Sequence, residues 1–174
     1  MLRVVIDTHV IISGILSRKG APAELLNAWR ERLYLLLSSP AIVAEVQAVL
    51  RYPHIHNKYS LSDEEIEHTL TLLEHDALLV TGSANVTGSV PADPKDEMFL
   101  ACALDGQADV IVSGDHYLLD LEVYRDIPII TVRQFLNRLG KSQTSLLEFF
   151  RQSPLVGIEL ELERDRSLSR DVDL

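Results

Sequence analysis

Short apolar runs alternate with amphipathic stretches along most of this chain, and that alternation constrains its fold more than any other feature. Leu2–Ile6 is apolar apart from Arg3, and Tyr34–Leu37, Asp109–Ser113 and Ile127–Thr131 are runs of similar length, with a shorter one at Leu78–Thr81. The segments between them carry helix signals. Ala21–Arg32 places Leu25, Leu26 and Trp29 inward, and Ser39-Pro40 opens a helix reaching about Arg51. Ser62-Asp63-Glu64-Glu65 opens another, carried by Ile66, Leu70 and Leu73. Asp93-Pro94 starts a very apolar helix, Met98 to Leu104, and a last one follows the run Ile127–Thr131 and continues through Leu139. Ser or Asp ahead of the first turn accepts from its free N–H groups, and Pro fits there because its missing donor has no partner to lose. Thr81–Val90, with Gly, Ser and Asn, reads as a loop. Parallel strands need crossover connections, usually helical, so the pattern predicts an α/β fold around a parallel sheet covered on both faces.

From Gly140 the character changes. Ser145–Gln152 reads as a short helix bearing Leu146, Leu147, Phe149 and Phe150. Val156, Ile158, Leu160 and Leu162 then alternate with Gly157, Glu159, Glu161 and Glu163, the period of a strand. Residues 1–139 are therefore expected to form one domain, and 140–174 a helix–strand appendage ending in the charged stretch Arg164 to Leu174.

Composition removes several classes of function. With 174 residues, 47% hydrophobic and 24% charged, the chain suits a packed globular domain and not disorder. No apolar run approaches the ~18 residues of a membrane span, and the acid at position 7 comes too soon for a signal-peptide core. Cys102 stands alone, which excludes a disulfide framework and a Cys-based zinc site, and its setting, Phe99-Leu100-Ala101-Cys102-Ala103-Leu104, is that of a small buried hydrophobe. The cytoplasm is the expected compartment, with no membrane partner. A net charge of −10 is unusual for a nucleic-acid binder, but residues 1–60 hold seven Lys or Arg against four acids, net +3, while the remainder carries −13. A modest basic region can steer a polyanion; strong sequence-independent binding of long nucleic acid is not expected.

Four carboxylates carry the functional reading. Asp7 directly follows the first strand, and Asp115 follows Asp109–Ser113 after Gly114. In open parallel sheets ligands collect beyond the carboxyl ends of strands. Asp is also a common turn and cap residue, so each position alone has that simpler explanation. Glu45 has Ala41, Ile42, Ala48 and Val49 as same-face neighbours, with Gln47 opposite on the solvent side. An acid on an apolar stripe is expensive to bury without a partner, which favours a cation. Asp96 falls at the third position of its helix, where an acid complements the free N–H groups, so capping explains it as well as a functional role does. Four acids in one pocket would repel, raise one another's pKa values and titrate as a set. Mg²⁺ or Mn²⁺, hard ions preferring oxygen, would relieve this and support hydrolysis at a phosphate. Thr8 and Ser113 adjoin the proposed ligands and are supporting candidates, with plain structural roles equally open.

Val4-Val5-Ile6-Asp7-Thr8-His9-Val10-Ile11-Ile12-Ser13-Gly14, Glu45 in an apolar helix, Asp93-Pro94-Lys95-Asp96-Glu97-Met98-Phe99 and Val112-Ser113-Gly114-Asp115 together resemble the PIN domain, in order and spacing over residues 1–139. The nearest branch is similar to the VapC-like toxins of bacterial type II toxin–antitoxin systems. The resemblance implies a three-layer α/β/α sandwich and Mg²⁺- or Mn²⁺-dependent endoribonuclease activity, with Asp7, Glu45, Asp96 and Asp115 as the catalytic and metal-binding acids. It implies a homodimer or higher oligomer and an antitoxin partner that blocks the groove. One departure stands out: the family usually shows Asp-Thr-Asn where this chain has Asp7-Thr8-His9.

The segment from Ser153 to the end is similar to C-terminal segments of some antitoxins, which suggests a covalently attached inhibitory tail whose Arg164, Arg166 or Arg170 reaches the acidic pocket. Two other readings stay in view. A haloacid-dehalogenase-like phosphatase also begins with an acid after its first strand, but looks for a second Asp where His9 stands. A catalytically silent RNA-binding or toxin–antitoxin interaction module would keep the fold without turnover. Asp7→Asn and Asp115→Asn are expected to abolish cleavage and, as repulsion falls, to stabilise the protein.

Overall fold

The computed structural model describes residues 1–17, 19–59 and 62–140, the side chains of 57 and 65 excepted. The tail expectations, a helix over 145–152, a strand over 156–162 and the pocket-reaching Arg164, Arg166 and Arg170, lie outside those residues.

Among the described residues six strands form one sheet: β1 (Arg3–Ile6), β2 (Leu35–Ser38), β3 (Leu78–Leu79), β4 (Val110–Val112), β5 (Val123–Tyr124) and β6 (Ile127–Ile130), in the order β3-β2-β1-β4-β6-β5. All pairings are parallel except β5–β6, a small antiparallel addition. Its two-residue turn, Arg125-Asp126, lies at positive φ, as such hairpins require. Val4, Val5 and Ile6 are all buried although neighbours in a strand point to opposite faces, so both faces of β1 are covered.

The helices are α1 (Thr8–Leu16), α2 (Ala21–Arg30), α3 (Pro40–Leu50), α4 (Pro53–Tyr59), α5 (Asp63–His75), α6 (Glu97–Asp105, entered through a 3-10 turn at Pro94–Asp96) and α7 (His116–Leu119), with a further helical segment over 132–140. The apolar α6 packs against β1, β2 and β4, while α1 packs on α2 and α3, and α3 on α5. Cys102 is fully buried in α6, and that burial, with Asp105 nearby, pushes its thiol up to about 12, leaving an inert hydrophobe. Helix α1 has no counterpart in the sequence reading. Its Thr8, Val10, Ile11 and Ile12 are β-branched and disfavour helix locally, so burial against the core decides the conformation. Gly14 makes the α1–α2 contact possible: a Cβ there would lie 2.7 Å from the Pro22 carbonyl oxygen and 2.6 Å from Leu26 Cδ1.

The buried face of α3 is Ile42, Val43, Val46 and Leu50. Glu45 sits half-buried at its margin, Ala41 and Ala48 are exposed, and Gln47 is half-buried. The stripe predicted around Glu45 is thus rotated, which lets the carboxylate reach past the core instead of into it. No helix among the described residues is long and apolar enough to cross a membrane.

Strand order brings the site together. The chain leaves β1 for β2 on one side and returns to β4 on the other, so the sequence of strands reverses between β1 and β4. That reversal opens a crevice beyond the carboxyl ends of the two strands, and the residues that follow them are Asp7 and Ser113-Gly114-Asp115.

Candidate active site

Register places the first contact. Ile6 pairs with Val112 and Val112 with Ile130, so Asp7, Ser113 and Thr131 stand side by side one residue farther along. The Asp7 N–H donates to the Val112 carbonyl at 3.0 Å, extending the ladder into the site. The Asp7 carboxylate is almost wholly buried and fully engaged. Its Oδ1 accepts from the Val10 N–H at 2.7 Å, capping α1. Its Oδ2 accepts from the Ser113 hydroxyl and from the Gly114 N–H at 2.8 Å. The capping reading of Asp7 therefore holds, and the same carboxylate takes Ser113 as a direct partner. The Ser113 Oγ in turn accepts from the Asp115 N–H at 2.9 Å, so one hydroxyl ties the Asp7 carboxylate to the backbone of Asp115.

Asp115 caps α7, its Oδ1 accepting from the Tyr117 N–H at 2.7 Å. The His116 imidazole lies 3.8 Å from the same oxygen and stacks on Tyr117 with ring centroids 3.9 Å apart. From α3, the Glu45 Oε2 accepts from Thr8 Oγ1 at 2.6 Å. Thr8 thus holds Glu45 as Ser113 holds Asp7.

Asp96 behaves differently. Capping of its helix falls to Asp93, whose carboxylate accepts from the Lys95 N–H at 3.0 Å, while Asp96 makes no side-chain cap bond. Asp96 is 8% exposed and its Oδ2 is buried with no hydrogen-bond partner. Burial, followed by the charges of Asp93, Asp115, Asp7 and Glu45, raises its carboxyl from 3.8 to about 6. Capping therefore does not account for Asp96. An orphaned carboxylate oxygen facing other anions is the arrangement a positive charge would relieve.

Asp7, Glu45 and Asp115 all lie within electrostatic reach of Asp96. They are not closed into a ligand cage: among the described residues no three His, Cys, Asp or Glu side chains stand in metal-holding geometry. The hydrogen bonds explain the difference. Asp7, Glu45 and Asp115 each rest on an internal donor, an arrangement that keeps mutually repelling carboxylates apart. The donor set is all oxygen and anionic, which fits a hard divalent cation drawing on Asp96 and the outward lone pairs of its neighbours.

The sequence profile of the PIN domain matches residues 3–117, a stretch that holds all four acids. The chain belongs to the PIN domain family. PIN domains are generally nucleases and typically use divalent metals. An uncharacterised protein of Methanocaldococcus jannaschii is similar at 28% identity over 120 residues, 69% of this chain and 75% of that protein. The fold also resembles a chain in the crystal structure of VapBC2 from Rickettsia felis bound to a DNA fragment from their promoter. The TM-score is 0.51 at 12% identity, covering 75% of this chain and 98% of that one. The mixed, mostly parallel sheet flanked by helices is the PIN arrangement.

Two contributors to this PIN site escape the sequence reading. The Gly114 N–H is a backbone donor to Asp7, invisible in side-chain chemistry, although a Gly between Ser113 and Asp115 is a cue for close backbone approach. Asp93 raises the Asp96 carboxyl more than any other charge does, and its place three residues before Asp96 gives the signal.

Proposed function

We propose that this PIN protein is an endoribonuclease that hydrolyses RNA phosphodiester bonds with Mg²⁺ or Mn²⁺ held by Asp7, Glu45, Asp96 and Asp115. The observation that carries the reading is the buried, partnerless Asp96 Oδ2, with its carboxyl raised to about 6 among four other acids. When bound, the ion supplies charge stabilisation at the phosphate and acidifies the attacking water. The chain's residues do the rest. Asp7 is held by three donors, so its orientation is set before substrate arrives. Thr8 fixes the carboxylate of Glu45, and Ser113 links Asp7 to the backbone of Asp115. Asp96, with its carboxyl raised to about 6, brings an oxygen without a hydrogen-bond partner to the centre. Such preorganised supports are worth roughly 10- to 100-fold in metal affinity.

The same reading makes the chain a cytoplasmic toxin of a toxin–antitoxin system, a homodimer or higher oligomer restrained by an antitoxin or by its own tail; the fold likeness to a chain of a VapBC2 complex supports the class. Changing Arg164, Arg166 and Arg170 together to Ala in the full chain should raise cleavage if the tail restrains it.

The silent-module reading draws on one observation, the internal hydrogen bonds that satisfy Asp7, Glu45 and Asp115 without an ion. Incubating the full chain with mixed RNA and DNA pools in Mn²⁺, Mg²⁺ or EDTA separates the two. We expect RNA cleavage with either metal and none in EDTA. RNA binding without cleavage in Mn²⁺ would favour the module.

A further inference from the structure

A cleft of about 410 Å³ opens beside Asp115, within the ~300–1,000 Å³ range of clefts that hold small ligands. Its apolar walls are Val10, Pro22 and Val132, and its polar side chains are His9 and Ser13, with Gly114-Asp115 at the acid end. His9 and Ser13 lie four residues apart in α1 and are both exposed, so they line one face of that helix. The lining holds a carboxylate and neither Lys nor Arg, which makes it a poor seat for a phosphate and a suitable one for an uncharged, planar, partly polar group.

We propose that this cleft is a base subsite, seating the nucleobase next to the bond that is cut, with His9 and Ser13 reading its edge. The proposal rests on the nuclease reading above and names the part of the site that selects sequence. A base splayed from single-stranded RNA presents apolar faces and a hydrogen-bonding edge, and proteins read such bases by packing the faces and pairing the edge. Val10, Pro22 and Val132 supply the packing. An imidazole and a hydroxyl each provide a donor and an acceptor. The subsite is also rigid and coupled to the acids. The glycine contact at Gly14 sets Pro22 against α1, and the Gly114 N–H is bonded to Asp7 at 2.8 Å. A base held here therefore sits in fixed relation to the carboxylates.

Two measurements on the full chain test this. In EDTA, uncharged nucleosides are titrated against labelled protein while backbone amide shifts of Ser13, Gly114 and Val132 are followed. Shifts saturating at these positions, larger for one base than the others, are expected. In Mn²⁺, the ends of cleaved random RNA are mapped for the natural protein, Ser13→Ala and His9→Ala. A base preference at one position beside the cut is expected, with each substitution lowering that preference roughly 2- to 10-fold, the range for one lost hydrogen bond. The preference is a ratio between sequences, so a general loss of folding or rate leaves it unmoved. Cleavage with no base preference, or with one that both variants retain, overturns the subsite, as does an absence of amide shifts. Nucleoside shifts at the cleft with no RNA cleavage under any metal would instead overturn the nuclease reading and keep the base site.

Discussion

Asp96→Asn should stabilise the metal-free protein at neutral pH, and by an amount that depends on pH in a defined way. The Asp96 carboxyl is raised from 3.8 to about 6, a shift of about two units at ~1.4 kcal/mol per unit. The full conversion is about 3 kcal/mol. Some relaxation of neighbouring acids reduces it, and about 2 kcal/mol is the expected gain at pH 7.5. The folded chain binds this proton more tightly than the unfolded chain does. Its contribution is complete below about pH 4, falls as pH rises through about 6, and is constant above that. Asn carries no such dependence, so its advantage over Asp should roughly double between pH 5 and pH 7.5. Urea unfolding of both proteins in EDTA across that range reads the difference directly. Adding Mn²⁺ should then stabilise the natural protein more than the variant, because the ion binds the folded acid site. A variant less stable at pH 7.5, or an advantage that does not change with pH, would refute the account of Asp96 as a strained, unpartnered acid.

Asp7→Asn should act in the opposite sense. One carboxylate now accepts from Val10, Ser113 and Gly114, and an amide would turn an NH₂ group toward donors, so thermal melting in EDTA should show a loss of roughly 1–3 kcal/mol. Thr8→Val removes the hydroxyl that holds Glu45 and should weaken Mn²⁺ binding roughly tenfold or more by calorimetry, leaving secondary structure intact by circular dichroism. Gly14→Ala should cost roughly 1–3 kcal/mol in urea unfolding, since its Cβ would meet a backbone carbonyl oxygen at 2.7 Å.

The sheet is legible in the sequence because its strands are short apolar runs bounded by turn and cap residues, and β1, β2 and β4 fall where those runs do. The two strand-following acids are legible for the same reason: an Asp at the end of an apolar run sits at the carboxyl edge of the sheet. Helix α1 is not, because Val10, Ile11 and Ile12 are β-branched and favour strand locally, and only their burial in the core, with α1 packed on α2 and α3, makes them helical. Nor is the side-chain state of Asp96, for which capping and function predict the same residue at the same position. Asp93 takes the capping bond, as its place ahead of Pro94 leads one to expect, but nothing local reports that the Asp96 oxygen is left without a partner. The stabilisation anticipated for Asp7→Asn takes no account of the three donors its carboxylate accepts from, none of which is visible in the sequence pattern. Glu45 lies beside the buried face of α3 and not on it, since Ala41 and Ala48 are exposed, and Thr8 donates to it where the sequence favours a cation.

The most direct test is the loss of free-Mn²⁺ electron paramagnetic resonance signal on titration with the full chain at pH 7.5, set against Asp96→Asn. The natural protein should remove Mn²⁺ from solution at a defined stoichiometry and the variant should not. Equal uptake by both proteins, or none by either, would contradict a divalent-ion site built on these acids.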